Sequence, residues 1–429
     1  MSAATYSKVL INRLSWLRSS SSFLNAVVSI PATRWLVFKE GQPLLQTQAS
    51  TKQSLARLTT NDVRPLLGPE PFFSQGQNAG ELAPADVPKL AAARLRGTPV
   101  VFLGLHETGS AESANALPSS DFSAKASAET LLAHIDGTPY FSLDVSDVAP
   151  AEVDDVLHKS AAAQAGAELS FSEPRAAMGS FDAVETALFA EARSITDWNA
   201  RNKHCPACGS PVYSIWAGWK LSCSSLLPWA DNTGRKPCPT ARGLHNFEHP
   251  RTDAVVVMAV LDESGDKILL GRNKPWPQGF YSCLSGFLEP GESFEDAVKR
   301  ELWEEAGIKV WNVRYHSTLP WPFPSTLLTG FYATASSAEP LRTDLDNELE
   351  EARWYTREAI LNVLNHTEGR TLTRRDQGSI FSGNDDSSSK VQGDSVPQMP
   401  TNAPPFKLPP LNMTAGVLIS EWAHGRAGF

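Results

Sequence analysis

The sequence predicts an α/β protein of more than one domain, and three observations lead there. A length of 429 residues at about 150 per domain gives roughly three domains, ample for sizeable buried cores. Apolar runs of strand length alternate with segments whose apolar residues recur at helical spacing. Four of the five cysteines (Cys205, Cys208, Cys223 and Cys238) cluster in one short stretch between two such blocks.

Charge narrows the function classes. Lys plus Arg number 38 against 47 Asp plus Glu, a net charge of −9, which argues against a protein held to nucleic acid by bulk positive charge, although a local basic groove stays open. The longest clean apolar run, Ala254 to Leu261, is far short of the ~20 residues that cross a bilayer, so no membrane partner is expected.

In chain order, the first 39 residues lack Asp and Glu and carry Lys8, Arg13, Arg18, Arg34, Lys39 and a Ser19–Ser22 run, the composition of a mitochondrial transit peptide. Trp35 to Phe38 is too apolar to be discarded, and with Phe23, Leu24, Val27 and Val28 it reads better as a helix and first strand of a folded domain. Pro99 to Leu105 and Tyr140 to Val145 read as strands around a Ser/Ala/Glu-rich surface insertion, Thr108 to Thr130. From Phe181 an amphipathic helix (Phe181, Val184, Leu188, Ile195, Trp198) leads to the cysteines. Beyond them, Ala254 to Leu261, a turn at Asp262 to Gly265 and Lys267 to Leu270 form a hairpin, followed by strands at Tyr281 to Leu284, Val313 to His316 and Leu327 to Ala335. His366 to Ala403 turns to Ser, Asp, Asn, Gly, Gln and Pro and is expected to be disordered. Met413, Val417, Leu418 and Trp422 fit one face of a final helix. The chain closes on Arg426-Ala-Gly-Phe429, not a Ser-Lys-Leu type tripeptide, which leaves cytoplasm and peroxisome both open.

Cys205-Pro-Ala-Cys208-Gly209 is a zinc knuckle: two residues between thiolates let both sulfurs face one tetrahedral ion. Fourteen residues separate Cys223 from Cys238 and require a loop, for which Pro228, Asn232, Gly234 and Pro237 are suited. Four cysteinates are the preferred Zn²⁺ set, with His204, His245 and His249 as rival ligands and a redox pair as the remaining reading. Four protein ligands leave no position for water, so the zinc is structural.

Gly286 to Ile308 reads as a loop and a helix that Ser293 caps and Gly307 closes. Glu301, Glu304 and Glu305 stand at i, i+3 and i+4, where three like charges need a cation, and hard oxygen ligands suit Mg²⁺ or Mn²⁺. A bare acidic triplet is usually a solvated face. Here the pattern is longer: Gly286, five residues, Glu292, seven residues, then Arg300-Glu301-Leu302-Trp303-Glu304-Glu305-Ala306-Gly307-Ile308.

This complete pattern resembles the Nudix box, the signature of hydrolases that cleave nucleoside diphosphates linked to another group. Pro320-Trp321-Pro-Phe-Pro-Ser-Thr326 resembles the Ser-Gln-Pro-Trp-Pro-Phe-Pro-x-Ser tag of NADH pyrophosphatases, with Thr318, Leu319 and Thr326 where Ser, Gln and Ser are usual. Leu319 loses an amide able to hydrogen-bond a dinucleotide, which bears on substrate preference and not on reaction class. The resemblance implies an α/β/α sandwich with a mixed sheet, preceded by an N-terminal Nudix-like α+β domain and a small zinc ribbon. It divides the chain into residues 1–200, the ribbon 201–248, the catalytic domain 249–365, the insertion 366–403 and a helix in 404–429 that completes the catalytic domain.

By the same resemblance, Glu301 and Glu305 ligate Mg²⁺ or Mn²⁺ with help from Glu304, and the carbonyl of Ser285 and Glu348 complete the cage. Glu305 is the choice for orienting or deprotonating water, with Glu304 and Glu348 as alternatives, and Arg300 is expected to pair with Glu292. Phe287 is placed to stack on a planar ring and Trp321 to shape the loop around it, both on the substrate side; Thr326, Ala415 and His249 match positions near the substrate. The expected reaction splits NADH or NAD⁺ into nicotinamide mononucleotide and AMP. Removal of an NAD cap from RNA by the same chemistry ranks second, and a non-catalytic zinc-ribbon binding module is the alternative from another class. Family members often pair, which makes a homodimer an expectation.

Overall fold

The computed structural model describes residues 11–48, 53–68, 70–73, 100–107, 126–241, 248–346, 348–372, 376, 380 and 404–427. The chain divides into two compact units, one of residues 8–251 with 322–324 and one of residues 252–321 with 325–429.

The first unit opens with helix α1 (Ser21–Val28), capped by the Ser20 hydroxyl, which accepts from the Phe23 N–H. Seven strands follow: β1 (Arg34–Lys39), β2 (Gln42–Thr47), β3 (Ser54–Leu55), β4 (Leu58–Thr59), β5 (Val100–His106), β6 (Thr138–Asp144) and β7 (Glu168–Phe171). They form a mixed sheet of order β3-β2-β1-β6-β5, with β1 and β6 parallel at its centre. A central strand is covered on both faces, which is why Trp35, Leu36, Val37 and Phe38 are all buried. From Ile11 onward the acid-free segment is therefore core, as the apolar content of Trp35–Phe38 demanded. The Thr108–Thr130 expectation lies mostly outside the described residues; its last residues enter a short helix, Ala128–Ala133.

Helix α2 (Ala183–Arg201) begins with a capping box, Asp182 accepting from the Glu185 N–H and Glu185 from the Asp182 N–H. Leu188, Phe189, Ala192 and Ile195 bury its apolar stripe against Leu36, Phe38, Leu103 and Tyr140 of the sheet. It delivers the chain to a two-stranded ribbon, β8 (Val212–Ile215) and β9 (Lys220–Cys223). The ribbon's turn covers the edge strand: Phe102 N–H donates to Ala217 O at 3.0 Å, and Trp219 Nε1 donates to Phe102 O at 2.7 Å. Gly218, at φ +90°, lies so close to β5 that a Cβ would stand 2.7 Å from the Val101 side chain.

The second unit is a three-layer sandwich. Its six-stranded sheet has the order β13-β14-β10-β11-β15, with β12 on β10. The strands are β10 (Asp253–Leu261), β11 (Lys267–Asn273), β12 (Leu284–Phe287), β13 (Val310–Trp321), β14 (Thr326–Ala335) and β15 (Leu349–Thr356). β10 and β14 are parallel and the rest antiparallel, the expected mixed sheet. Helix α3 (Phe294–Ala306) packs Ala297, Val298, Leu302 and Ala306 on one face. Helices α4 (Arg357–Leu364) and α5 (Thr414–Ala423) cover the other with Ile360, Val363, Leu418, Ile419 and Trp422.

Three expectations change. The strand read at Tyr281 to Leu284 is Leu284–Phe287, since Tyr281 and Ser282 instead bond back to Lys407 and Gly271. β13 extends far past His316 and carries Trp321 as strand rather than loop, because the antiparallel ladder to β14 runs down to Trp321–Thr326. Order also continues into the segment read as disordered. Thr367–Arg370 is a 3₁₀ turn pinned by Leu408 N–H donating to Gly369 O at 2.8 Å, and a Cβ at Gly369 would meet Val363 O at 2.1 Å. From 373 to 403, all but positions 376 and 380 lie outside the described residues.

Candidate active site

The carboxylates sit where β12 meets α3. Ser293 Oγ accepts from the Asp296 N–H at 3.2 Å and starts the helix, with Glu295 and Asp296 in the first turn, where the positive end of the helix dipole favours them. Gly307 ends it at φ +66°. On this helix Glu305 is buried (3% exposed), and Glu301 is half-buried with its carboxyl pressed onto the backbone of β12. A Cβ at Gly286 would stand 1.8 Å from Glu301 Cδ, so the first glycine of the box leaves the space that the carboxylate fills. Gly286→Ala is expected to push Glu301 aside and lower kcat at least ~10²-fold with the fold retained, because misplacement by about 1 Å costs that much; steady-state kinetics beside circular dichroism checks it.

Arg300 ties the loop to the helix. Its Nε and Nη2 grip Glu292 in a fork at 2.6 and 2.9 Å, Nη2 also donates to Phe287 O at 2.8 Å, and Nη1 reaches Glu301 at 2.7 Å and Glu304 at 3.1 Å. Hydrogen bonding to this guanidinium draws Glu292 down to about 2. Glu301, Glu305 and Glu348 shift the opposite way. Burial first, then Glu348, Glu301 and Asp346, raise Glu305 well above 4.5; burial, then Glu304 and Glu348, raise Glu301; burial, then Asp346, raises Glu348. A backbone hydrogen bond with Ser285 opposes the rise at Glu305, whose Oε2 is buried and has no partner among the described residues.

A concentration of all-oxygen donors, an unpaired buried carboxylate oxygen and mutually raised carboxyls fits a hard divalent cation. Two supports were not expected from the sequence. Asn273, at the end of β11, donates to Glu348 Oε1 at 2.7 Å, and Asp346 accepts from the Glu348 N–H at 3.0 Å. Asp346 had a signal in the acidic run around it; Asn273 had none, since its partner is 75 residues away.

The substrate-side candidates divide. Phe287 is 60% exposed and pairs with Val255, whose side chain belongs to the core layer that also holds Ala415, on the sheet face opposite α3. Thr326 is buried and pairs with Trp321 on one side and Asp253 on the other. His249 belongs to the first unit, its ring 5.7 Å from that of Trp216.

The cysteines converge. All four ligand atoms lie within 4.8 Å of one another, with Cys205 Sγ 3.7 Å from Cys238 Sγ and Cys208 Sγ 3.5 Å from Cys223 Sγ. A tetrahedron with Zn–S near 2.3 Å has edges of about 3.8 Å, so the quartet has the size for zinc. Among the described residues no histidine joins the group. Gly209, at φ +71°, closes the knuckle, its N–H donating to Cys205 O at 2.8 Å.

Residues 250–375 match the NUDIX domain, and residues 32–198 match the NADH pyrophosphatase-like rudimentary NUDIX domain. The human NAD-capped RNA hydrolase NUDT12 is 34% identical over 84% of this chain and 67% of its own. The NAD-capped RNA hydrolase of Schizosaccharomyces pombe is 31% identical over 82% of this chain and 83% of its own, and NPY1 of Saccharomyces cerevisiae is 29% identical over 84% and 86%. With the box complete and its carboxylates assembled between β12 and α3, the chain belongs to the Nudix hydrolases, in the group that carries an NADH pyrophosphatase-like N-terminal domain.

Proposed function

We propose that this enzyme hydrolyses the pyrophosphate bond of NADH and NAD⁺, releasing nicotinamide mononucleotide and AMP, and that NAD-capped RNA is a second substrate cut at the same bond. The carrying observation is the intact carboxylate group of α3 with Glu348, which immediately precedes β15, including a buried Glu305 whose Oε2 has no partner among the described residues. The relatives' printed activity supports NAD-linked substrates. A binding module alone would gain nothing from keeping like charges crowded in a half-buried site.

Glu301, Glu305 and Glu348, with Glu304 and the Ser285 carbonyl, would hold Mg²⁺ or Mn²⁺, and Cys205, Cys208, Cys223 and Cys238 a structural Zn²⁺. When bound, the divalent ion neutralises phosphate charge and acidifies water. Glu305 accepts the proton of the attacking water through its unpaired oxygen. The water oxygen joins one phosphorus, and the bridging oxygen leaves on the other phosphate. Arg300 keeps the Glu292 loop closed, Asn273 aims Glu348, and Phe287 offers a ring face for stacking.

The test is AMP release from NADH, and release of nicotinamide mononucleotide from NAD-capped RNA, with Mg²⁺ or Mn²⁺. Turnover of NADH with either metal, absent under chelation, is the expected result. No turnover of either substrate with both metals would sink the reading.

A further inference from the structure

Charge is unevenly spread along the chain. Residues 201–251 contain seven Lys and Arg against only Asp231 and Glu248, although the whole chain carries −9. Arg201, Lys203 and Lys220 are held in ion pairs with Asp197, Asp147 and Glu248, and the ribbon's core is the thiolate quartet with Val212 and Leu221. Two of the cations sit bare on the long loop between Cys223 and Cys238. Arg235 donates only to neutral oxygens, Ser210 Oγ at 2.8 Å and Cys208 O at 3.4 Å, and Lys236 is exposed and forms no ion pair among the described residues. At the other end of the β8–β9 hairpin, about 13 Å away by strand length, Trp216 is held in the turn at φ +57°. The Lys220 ammonium lies 4.8 Å from its ring centroid, and the half-exposed His249 ring is 5.7 Å off.

We propose that the ribbon is a docking surface for single-stranded RNA, the chain that continues beyond an NAD cap; this rests on the capped-RNA reading above. Arg235 and Lys236, which have no carboxylate partner among the described residues, suit phosphates, and a ring face flanked by Lys220 and His249 suits an unpaired base, the pairing of groups that single-strand binders use. An acidic peptide would satisfy the cations and leave the ring face without a matching plane.

The test uses the full-length protein and a 3′-labelled, uncapped 5′-monophosphate RNA of twenty nucleotides, with anisotropy read across a salt series without added Mg²⁺ or Mn²⁺. Arg235→Glu with Lys236→Glu is expected to weaken binding about tenfold near 0.1 M salt and to flatten the log–log salt slope by about one to two. NADH hydrolysis should be unchanged and bound zinc equal to the parent's. Lys236→Glu alone, at a side chain that holds nothing in place, should move affinity in the same direction. Parent protein that fails to bind the strand, equal affinity in parent and both variants, or competition by polyglutamate as strong as by poly(U) would each overturn the proposal. An enzyme inactive on NADH and capped RNA would instead remove the substrate reading, which this uncapped strand does not probe.

Discussion

Glu305→Gln is expected to lower kcat on NADH about 10³-fold, the usual scale for removing a positioned base, and also to stabilise the metal-free protein. Both effects come from one carboxyl. Glu305 is buried beside Glu301, Glu348 and Asp346, and burial followed by these like charges holds its pKa well above 4.5. The folded metal-free protein thus binds more protons than the unfolded chain, so stability falls as pH rises from about 4.5 through the raised value. Gln keeps the shape and removes the buried charge. Melting temperatures without metal should therefore decline with pH more steeply in the parent than in the variant, and at pH 7.5 the variant should melt higher. Mg²⁺ should raise the parent's melting temperature, since it binds only the folded cage, and should do little for the variant. A variant that keeps parental kcat, or melts lower than the parent without metal at pH 7.5, contradicts this account.

Much of the catalytic unit was legible because its signals are local. The box places cap, helix and C-terminal glycine within one contiguous stretch, and Ser293, Glu301 and Gly307 hold those positions in the structure. The strand at Ala254–Leu261 was legible from a continuous apolar run, as a strand buried on both faces must be. What stayed hidden depends on distant partners. β15 reads as Leu-Glu-Glu-Ala-Arg-Trp-Tyr-Thr, with charges where it faces water, and becomes a strand through its ladder with β11. The displaced strand at Leu284 has the same cause: Tyr281 looks like strand by composition, but Lys407, over 100 residues later, takes its N–H. Of the candidate site, spacing grouped Glu301, Glu304 and Glu305 on one helix and the four cysteines in one stretch, whereas Glu348 came from the family resemblance. Spacing could not show that Gly286 makes room for Glu301, nor that Asn273 fixes Glu348, because both are contacts across the fold.

Removing the Zn²⁺ proposed for the ribbon is expected to have the largest effect on stability, and to confine it to one half of the chain. Without a cation the four sulfurs must share protons at 3.5 to 3.7 Å, and burial pushes Cys205 and Cys223 up, away from the thiolate form. Structural zinc in sites of this kind contributes on the order of 10 kcal/mol to folding of the module. The module does not end at its own two strands, since its turn supplies hydrogen bonds to Phe102 and close packing to Val101 on the edge strand β5. Losing the ribbon uncovers that edge and weakens the 8–251 unit. The second unit has core layers of its own on both faces of its sheet. Calorimetry of Cys205→Ser, or of protein stripped with a strong chelator, should show a lower-melting transition split from one that stays near the parental position. A colorimetric assay on the denatured parent should find about one zinc per chain. A Cys205→Ser profile superimposable on the parent's, or a parent protein without zinc, would show that the quartet holds no structural ion and that the hairpin is kept in place by its contacts with β5 alone.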